Sequence, residues 1–252
     1  MRVEVKMINI NFLDSHKNQY LTANPFPHIV FDNFFKEEWV DELSKEIPPL
    51  DNPIWHQYNN RIENKYACRQ WLAFPKTTYQ TLTYFCSTEF TSKLSELTGI
   101  YPLMPDYGLN GGGWHVHTRG GLLNVHKDYS IHPQLELERA LNLIIYLTPE
   151  WDISWGGALG LWSEKDNQPY ELIESIDCIY NRAVLFDTRK DSWHGLPDPI
   201  MCPENVRRTS LAIYYVTTPS TESATHTRAL FAPTEKQKSD VEVLQLIEQR
   251  SK

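Results

Sequence analysis

The pattern of apolar residues changes at about residue 101, and this change restricts the fold more than any other feature of the chain. Beyond that point, short apolar runs alternate with turns such as GLNGGG, TRGG and SWGG. Many short strands separated by such turns are typical of a β-sandwich or β-barrel. Residues 141–147, 183–186 and 211–216 are predicted to be strands, and the first of them is predicted to be central.

The chain before residue 101 has helical character instead. Residues 36–47 place apolar side chains such as Val40 and Leu43 at the three-and-four spacing of an amphipathic helix, and two prolines follow. Residues 77–100 predict one or two further helices. The sequence therefore predicts a mainly β fold with a helical N-terminal layer.

Length and composition exclude several classes of protein. A chain of 252 residues can form one all-β domain. No apolar run approaches the ~18 residues of a membrane helix, and the first ten residues, MRVEVKMINI, do not resemble a signal peptide. Four cysteines without a CxxC pair favour a reducing, cytoplasmic compartment. The net charge of −8 argues against unspecific nucleic-acid binding. Neither a membrane nor a nucleic acid is expected as a partner.

Three residues are candidate metal ligands: His126 and Asp128 in GGLLNVHKDYS, and His194 in DSWHG. Residues two apart on an extended strand project to the same side, so His126 and Asp128 can bind one ion together. Two imidazoles and a carboxylate form the facial triad that holds non-haem Fe(II) and leaves coordination positions open. Because HxD also arises by chance, a surface turn is the competing interpretation of that motif alone.

Four segments resemble the Fe(II)- and 2-oxoglutarate-dependent dioxygenases, in the prolyl 4-hydroxylase-like branch. They are HKD (126–128), RALNLIIYLTPEW (139–151) followed by GGALGLW (156–162), NRAVLFDT (181–188) leading into SWHG, and RRTSLAIYY (207–215). The resemblance implies a double-stranded β-helix, or jelly roll. It also implies one oxygenase domain over residues 1–216, with helical support at about 26–100 and a jelly-roll core at about 101–216. Residues 217–252 are expected to form a loop and a C-terminal extension, whose last helix docks on the domain or contacts a second copy in a homodimer.

The resemblance also implies a reaction. His126, Asp128 and His194 would bind Fe(II), 2-oxoglutarate would be the cosubstrate, and O2 the oxidant. Decarboxylation of 2-oxoglutarate to succinate and CO2 would drive hydroxylation of an unactivated carbon, with the metal and cosubstrate supplying the difficult chemistry. Asp128 argues against halogenation, because a related halogenase lacks this carboxylate.

A second group of residues is expected to bind the distal carboxylate of 2-oxoglutarate. Arg208 is favoured over Arg207 because the family pattern is Arg-x-Ser, and a guanidinium binds a carboxylate through two parallel hydrogen bonds. Tyr146 matches a family tyrosine that hydrogen-bonds the same carboxylate, although a buried core tyrosine would look identical. Ser210 is expected to add a further hydrogen bond.

The substrate and three further histidines stay open at this stage. His115 and His117 share one face of a predicted strand, which lies either in the cavity or at the surface, and His132 is interpreted as structural or substrate-facing. The substrate is a small molecule, an amino acid or a peptidyl residue such as proline, because fold does not settle function. Loops 50–72 and 106–120 are expected to bind it. The residues singled out in the first loop are Trp55, His56, Tyr58 and Arg61.

A protein of another class is the alternative. A cupin-like jelly roll could use the same ligands to hold another divalent metal, as an isomerase, a hydrolase or a non-catalytic binding module. Arg208 with Tyr146 discriminates against it, because a metal hydrolase has no need of a dedicated carboxylate-binding site.

Overall fold

The part of the chain that can be described covers residues 7–8, 15–189 and 191–251 of a computed structural model. Most of the segment MRVEVKMINI therefore lies outside the described residues. Within them, no helix combines the length and the apolar character needed to cross a bilayer. All four cysteines are buried free thiols.

Helices are concentrated in the first hundred residues, with one more near the end of the chain. They are α1 (Lys17–Thr22), α2 (Glu37–Lys45), α3 (Lys76–Phe85), α4 (Thr88–Thr98) and α5 (Val241–Ser251). The helix predicted at 36–47 is confirmed as α2, which buries Val40 and Leu43. One or two helices were predicted for residues 77–100, and the structure has two, α3 and α4.

The break between α3 and α4 has a local cause. The Ser87 hydroxyl accepts a hydrogen bond from the backbone amide of Phe90 and so caps the first turn of α4. Gly99 ends the helix in a left-handed conformation, with φ of 76°, which glycine adopts without strain.

The strands form one antiparallel sheet, in which the strand predicted to be central has a neighbouring strand on each side. They are β1 (His28–Phe31), β2 (His56–Asn59), β3 (Glu63–Cys68), β4 (Met104–Pro105), β5 (Gly113–His117), β6 (Leu122–Lys127), β7 (Glu138–Tyr146), β8 (Leu159–Lys165), β9 (Gln168–Ile176), β10 (Ala183–Asp187), β11 (Trp193–Leu196), β12 (Arg208–Thr217) and β13 (Leu230–Phe231). Their order is β1–β10–β7–β12–β5–β3–β6–β11–β8–β9, with β2 on β3, β4 on β12 and β13 on β6. The strands predicted at 141–147, 183–186 and 211–216 are β7, β10 and β12.

The sheet curls around a cavity of about 640 Å³. One wall comes from β5, β7 and β12, which contribute His115, Asn142 and Ser210 to the lining. The facing wall comes from β6, β8 and β11, which contribute His126, Leu159 and His194. Two facing halves of one curled antiparallel sheet form a double-stranded β-helix. The predicted jelly roll with a helical N-terminal layer is therefore confirmed.

Strand β7 explains why its sequence is apolar without alternation. Leu143 and Ile145 pack in the large core that also contains the α3 and α4 side chains Phe85 and Phe90. Tyr146 packs on the other face in a separate apolar cluster. A strand buried on both faces is expected to be apolar throughout. Truncation of Leu143 to alanine should destabilise the domain by ~2–5 kcal/mol.

The end of the chain packs against the jelly roll. Strand β13 pairs with β6, with Phe231 opposite His126. Val243 of α5 is fully buried against Ile62 and Phe231. Of the two alternatives that the sequence left for the last helix, docking on the domain is the one seen in α5.

Candidate active site

The three candidate metal ligands lie together at one end of the cavity. His126 in β6 is directly opposite His194 in β11, and Asp128 follows β6 immediately. The Nε2 atom of His126 is 3.8 Å from Oδ1 of Asp128, and Nε2 of His194 is 3.7 Å from Oδ2. One ligand atom from each residue lies within 4.8 Å of the other two. Among the described residues, this is the group whose donor set could hold a metal ion.

Backbone carbonyls orient both imidazoles. Nδ1 of His126 is 2.9 Å from the carbonyl oxygen of Asn124, and Nδ1 of His194 is 2.8 Å from that of Ser192. A carbonyl only accepts, so each Nδ1 carries the proton and each Nε2 presents a lone pair to the site. Partners of this kind are typical of the residues that orient metal-binding histidines.

The donor set fits a divalent cation. His126, Asp128 and His194 are 5%, 8% and 3% exposed. Oδ2 of Asp128 is buried and makes no hydrogen bond within the described part of the chain. An ionised buried oxygen without a partner is unfavourable. A cation held between this oxygen and the two imidazole lone pairs would satisfy all three groups.

Arg139, which sequence interpretation missed, stabilises the carboxylate of Asp128. Its guanidinium lies between the rings of Tyr129 and Tyr214, at 3.5 and 3.6 Å from their centres. Nη1 is 3.5 Å from Oδ1 of Asp128. Burial alone would raise the pKa of Asp128, but the charges of Arg139 and the two histidines lower it to about 2. The available signal was a charged residue directly before the apolar run of β7.

Aromatic rings shield the imidazoles from water. Phe231 stacks on His126 with 5.3 Å between ring centres, and Phe186 approaches His194 edge-on at 4.8 Å. Burial, together with the neighbouring His194, lowers the pKa of His126 to about 4. His126 is therefore neutral at physiological pH, as a metal ligand must be.

Arg208 lines the same cavity, and Gly157 makes room for it. The Arg208 side chain is buried, and its Nε donates to the carbonyl oxygen of Gly157 at 2.7 Å. A Cβ at position 157 would lie 2.9 Å from Cδ of Arg208, and the φ of Gly157 is +80°. Only glycine tolerates both conditions. Arg207, as expected, points elsewhere and donates to the carbonyl of Pro48.

Tyr146 and Ser210 lie beside Arg208. They are directly opposite each other in the β7–β12 pair. The guanidinium carbon of Arg208 is 4.8 Å from the centre of the Tyr146 ring, and Ser210 lines the cavity. Burial raises the pKa of Tyr146 to about 12, so its hydroxyl stays protonated and can donate a hydrogen bond.

The sequence left the roles of three histidines open, and two of them line the cavity while the third does not. His115 and His117 line the cavity, and both ring nitrogens of His117 are buried without a hydrogen-bond partner among the described residues. His132 is structural, because its Nδ1 accepts hydrogen bonds from the amides of Gln134 and Leu135.

The loop at 50–72 contributes to the cavity only in part. His56 and Tyr58 line it. Trp55 instead packs against Trp114, and Arg61 pairs with Asp240 ahead of α5. Neither Trp55 nor Arg61 is among the described residues that line the cavity, and their expected part in substrate binding stays a prediction.

Comparison with known proteins shows what the chain is similar to. Residues 112–216 match the model of the 2OG-Fe(II) oxygenase superfamily. The chain is 26% identical to prolyl 3-hydroxylase OGFOD1 of Mus musculus over 204 residues, which are 80% of this chain and 34% of that protein. It is also 26% identical to the Xenopus laevis protein of the same name over 188 residues, 71% of this chain and 33% of that protein. The chain spans about a third of the length of these curated relatives.

Solved structures share the fold. A prolyl hydroxylase from Trichoplax adhaerens, in complex with a hypoxia inducible factor oxygen degradation domain peptide fragment, superposes with a TM-score of 0.58 at 18% identity, covering 82% of this chain and 90% of that chain. A Pseudomonas putida prolyl-4-hydroxylase gives a TM-score of 0.57 at 14% identity, with 82% and 100% covered.

The jelly roll, the His-Asp-His cluster and the family match together define the class of protein. Residues 112–216 carry the match to the 2OG-Fe(II) oxygenase superfamily, and this match together with the His-Asp-His cluster implies Fe(II), 2-oxoglutarate and O2. The resemblance to prolyl hydroxylases that the sequence predicted is confirmed by the two curated relatives, both named prolyl 3-hydroxylase. The cupin-like alternative is not favoured.

Proposed function

We propose that this chain is a hydroxylase that uses Fe(II) bound by His126, Asp128 and His194, with 2-oxoglutarate as cosubstrate. The observation that supports this proposal best is the presence of the three ligands and a buried arginine, Arg208, on the walls of one cavity. A metal site needs the first set of residues, and a dicarboxylate cosubstrate needs the second.

Arg208 would bind the distal carboxylate of 2-oxoglutarate, with hydrogen bonds from Tyr146 and Ser210. The Arg208 side chain is already held by Gly157 and by the Tyr146 ring, so little conformational freedom remains to be lost on binding. A bidentate charged hydrogen bond in a buried site is among the stronger polar contacts available to a protein.

The bound metal and cosubstrate supply the oxidation, in which 2-oxoglutarate and O2 become succinate and CO2 and one oxygen atom enters a substrate C–H bond as hydroxyl. The chain provides placement. The backbone carbonyls of Asn124 and Ser192 hold the imidazoles in the metal-binding tautomer. Arg139 keeps Asp128 ionised, and Phe186 and Phe231 exclude water from the ligands.

The substrate that we propose is a prolyl or other amino-acid residue of a peptide or protein. The support is the similarity to proteins named prolyl hydroxylases, one of which was solved with a peptide fragment. The cavity, with a volume of about 640 Å³, is large enough to hold a side chain of that size. A cytoplasmic location belongs to the same proposal and is supported by the four unpaired cysteines.

Turnover of 2-oxoglutarate tests this proposal. Purified protein with Fe(II), ascorbate and 2-oxoglutarate in air should form succinate, and proline-containing peptides should gain the mass of one oxygen atom. Asp128→Ala should abolish both products, and Lys45→Gln, at an exposed position of α2, should change neither. Succinate formation that persists at the wild-type rate in Asp128→Ala would contradict the assignment of the ligands.

A further inference from the structure

The lining of the cavity reaches the surface at Arg69, which is exposed, and at Arg250, which is 35% exposed; we call this region, with the neighbouring Glu63 and Lys65, the mouth. Glu63 and Lys65, on β3, are 5% and 8% exposed, and their side-chain atoms Oε1 and Nζ are 3.2 Å apart. Arg250, near the end of α5, places Nη2 at 2.6 Å from Oε2 of the same Glu63. One carboxylate is therefore shared between two cations. Burial alone would raise the pKa of Glu63, but Lys65 and Arg250 hold it below its ordinary value.

The cavity as a whole has an excess of positive charge. Among the described residues that line it, five are basic and two are acidic; they are Lys65, Arg69, Arg139, Arg208 and Arg250, against Glu63 and Asp128. Leaving the histidines aside, this is an excess of three positive charges in a chain whose net charge is −8. Fe(II) and the doubly charged 2-oxoglutarate cancel each other, so the excess persists in the loaded enzyme.

The three cations nearest the mouth, Lys65, Arg69 and Arg250, have no part in binding 2-oxoglutarate in the proposal above. Glu63 is the one carboxylate that Lys65 and Arg250 share, so it neutralises one of their two charges. A region of uncompensated positive charge in an acidic protein attracts anionic ligands and orients them. The ligand expected at the mouth is therefore an anion, which is the opposite of what the overall charge suggests.

We propose that the substrate has a carboxylate group, which Lys65 and Arg250 bind at the mouth of the cavity. The inference rests on the proposed hydroxylase function and narrows its substrate class. A carboxylate suits the site because these two side chains already bind one, that of Glu63, through short contacts. The group is an Asp or Glu side chain of a peptide or the free carboxylate of an amino acid.

The structure also limits how far the carboxylate lies from the reacting carbon. The guanidinium carbon of Arg250 is 5.7 Å from the ring centre of Phe231, and that ring is 5.3 Å from the ring of His126. These two distances together match the length of roughly three residues of an extended peptide. In a peptide substrate, the acidic residue is therefore within about three positions of the hydroxylated one.

Capped peptides test the proposal. Three mixtures of acetyl-X-X-Pro-X-X-amide differ only in X, which is Asp/Glu, Asn/Gln or Lys/Arg. Succinate formation above the peptide-free rate is measured with Fe(II) and saturating 2-oxoglutarate. Binding of each mixture to the anaerobic, loaded protein is measured by titration calorimetry, so that a mixture without a reactive carbon still gives a result. Proline and N-acetylproline with free carboxylates form the small-molecule arm.

The variants should change binding of the acidic peptide mixture in opposite directions. Lys65→Gln and Arg250→Gln should weaken binding of the acidic mixture about tenfold or more, the usual effect of losing a charged hydrogen-bond partner. Glu63→Gln should strengthen it, because the two cations then have no internal carboxylate to share. Damage to the fold would weaken binding in all three variants. Lys45→Gln is the matched control, and Arg250→Lys, which keeps the charge, should retain most of the binding.

The outcomes separate this inference from the proposed function. Preference for the acidic mixture or for the free acids, lost in Lys65→Gln and enhanced in Glu63→Gln, supports the carboxylate site and identifies its source. A preference for neutral or basic peptides, no preference among the mixtures, or no binding of the acidic mixture and the proline acids to protein that binds Fe(II) and 2-oxoglutarate normally overturns the site and leaves the hydroxylase intact. Failure to bind Fe(II) or 2-oxoglutarate would instead overturn the proposed function.

Discussion

The two ends of the cavity are built in different ways. At the metal end, His126 and His194 are fixed by carbonyl oxygens two residues earlier on their own segments. At the mouth, Glu63 meets Arg250 from the opposite end of the chain, 187 residues away. At the metal end, Arg139 balances the carboxylate of Asp128, whereas the three cations of the mouth exceed the single carboxylate of Glu63.

This difference suggests that the two ends of the cavity have different roles. A metal site must hold its ligands in one geometry before any substrate arrives, and local hydrogen bonds achieve that. Because the mouth is formed by β3 and the C-terminal helix α5, its side chains can be substituted without disturbing the metal ligands. We therefore expect substitutions at the metal end to affect the reaction itself and substitutions at the mouth to affect the choice of substrate.

Loss of a ligand should have the largest effect. Asp128→Ala removes the charged member of the triad and should abolish both Fe(II) binding and turnover, as measured by metal analysis and by succinate formation. Arg250→Gln should leave Fe(II) binding unchanged. Equal loss of iron in both variants would break the distinction between the two ends. Circular dichroism must accompany the test, because Asp128→Ala leaves Arg139 without its buried partner.

Removal of the carboxylate-binding arginine comes next. Arg208→Ala should raise the 2-oxoglutarate concentration needed for half-maximal turnover by at least ~100-fold, because a buried charged hydrogen-bonding group is lost. Fe(II) affinity should not change. The adjacent Arg207→Ala is a matched control, since Arg207 donates to Pro48 outside the cavity. The assignment of Arg208 fails if both variants behave alike.

Acid should destabilise the metal-free protein through its buried histidines. Burial lowers the pKa of His126 to about 4 and that of His115 to about 3 in the folded state. The unfolded chain therefore binds more protons between about pH 6.5 and 4, and stability present above pH 6.5 is lost as pH falls through this window. His126 alone should lower the free energy of unfolding by about 2 kcal/mol from pH 7 to pH 5. Urea unfolding at both pH values measures the change, and His126→Gln should reduce it; an unchanged slope would contradict the burial argument.

The smallest effect is expected from a single hydroxyl. Tyr146→Phe should raise the required 2-oxoglutarate concentration about fivefold, because one neutral hydrogen bond contributes ~1 kcal/mol. The ring that lies under Arg208 is retained in this variant. Steady-state titration with 2-oxoglutarate measures the shift. No shift would make Tyr146 a core residue and leave Arg208 to bind the carboxylate alone.

Sequence alone predicted the parts of the molecule that depend on local pattern. Strands β7 and β12 were visible because each is an apolar run, and His126 and Asp128 were visible because of their spacing. Arg139 was missed because its partner, Asp128, lies on another segment and only the fold makes them neighbours. Glu63 with Arg250 was missed for the same reason. The ion pair of Arg61 with Asp240 was likewise invisible in the local pattern.

The most direct test of the central claim is the visible absorbance of anaerobic protein with Fe(II), before and after addition of 2-oxoglutarate, because it needs no substrate. A metal held by His126, Asp128 and His194 beside a dicarboxylate site should give a charge-transfer band that appears only with 2-oxoglutarate. The band should require far more 2-oxoglutarate in Arg208→Ala and be unchanged in Arg207→Ala. Stoichiometric bound iron without any band at saturating 2-oxoglutarate would contradict the account.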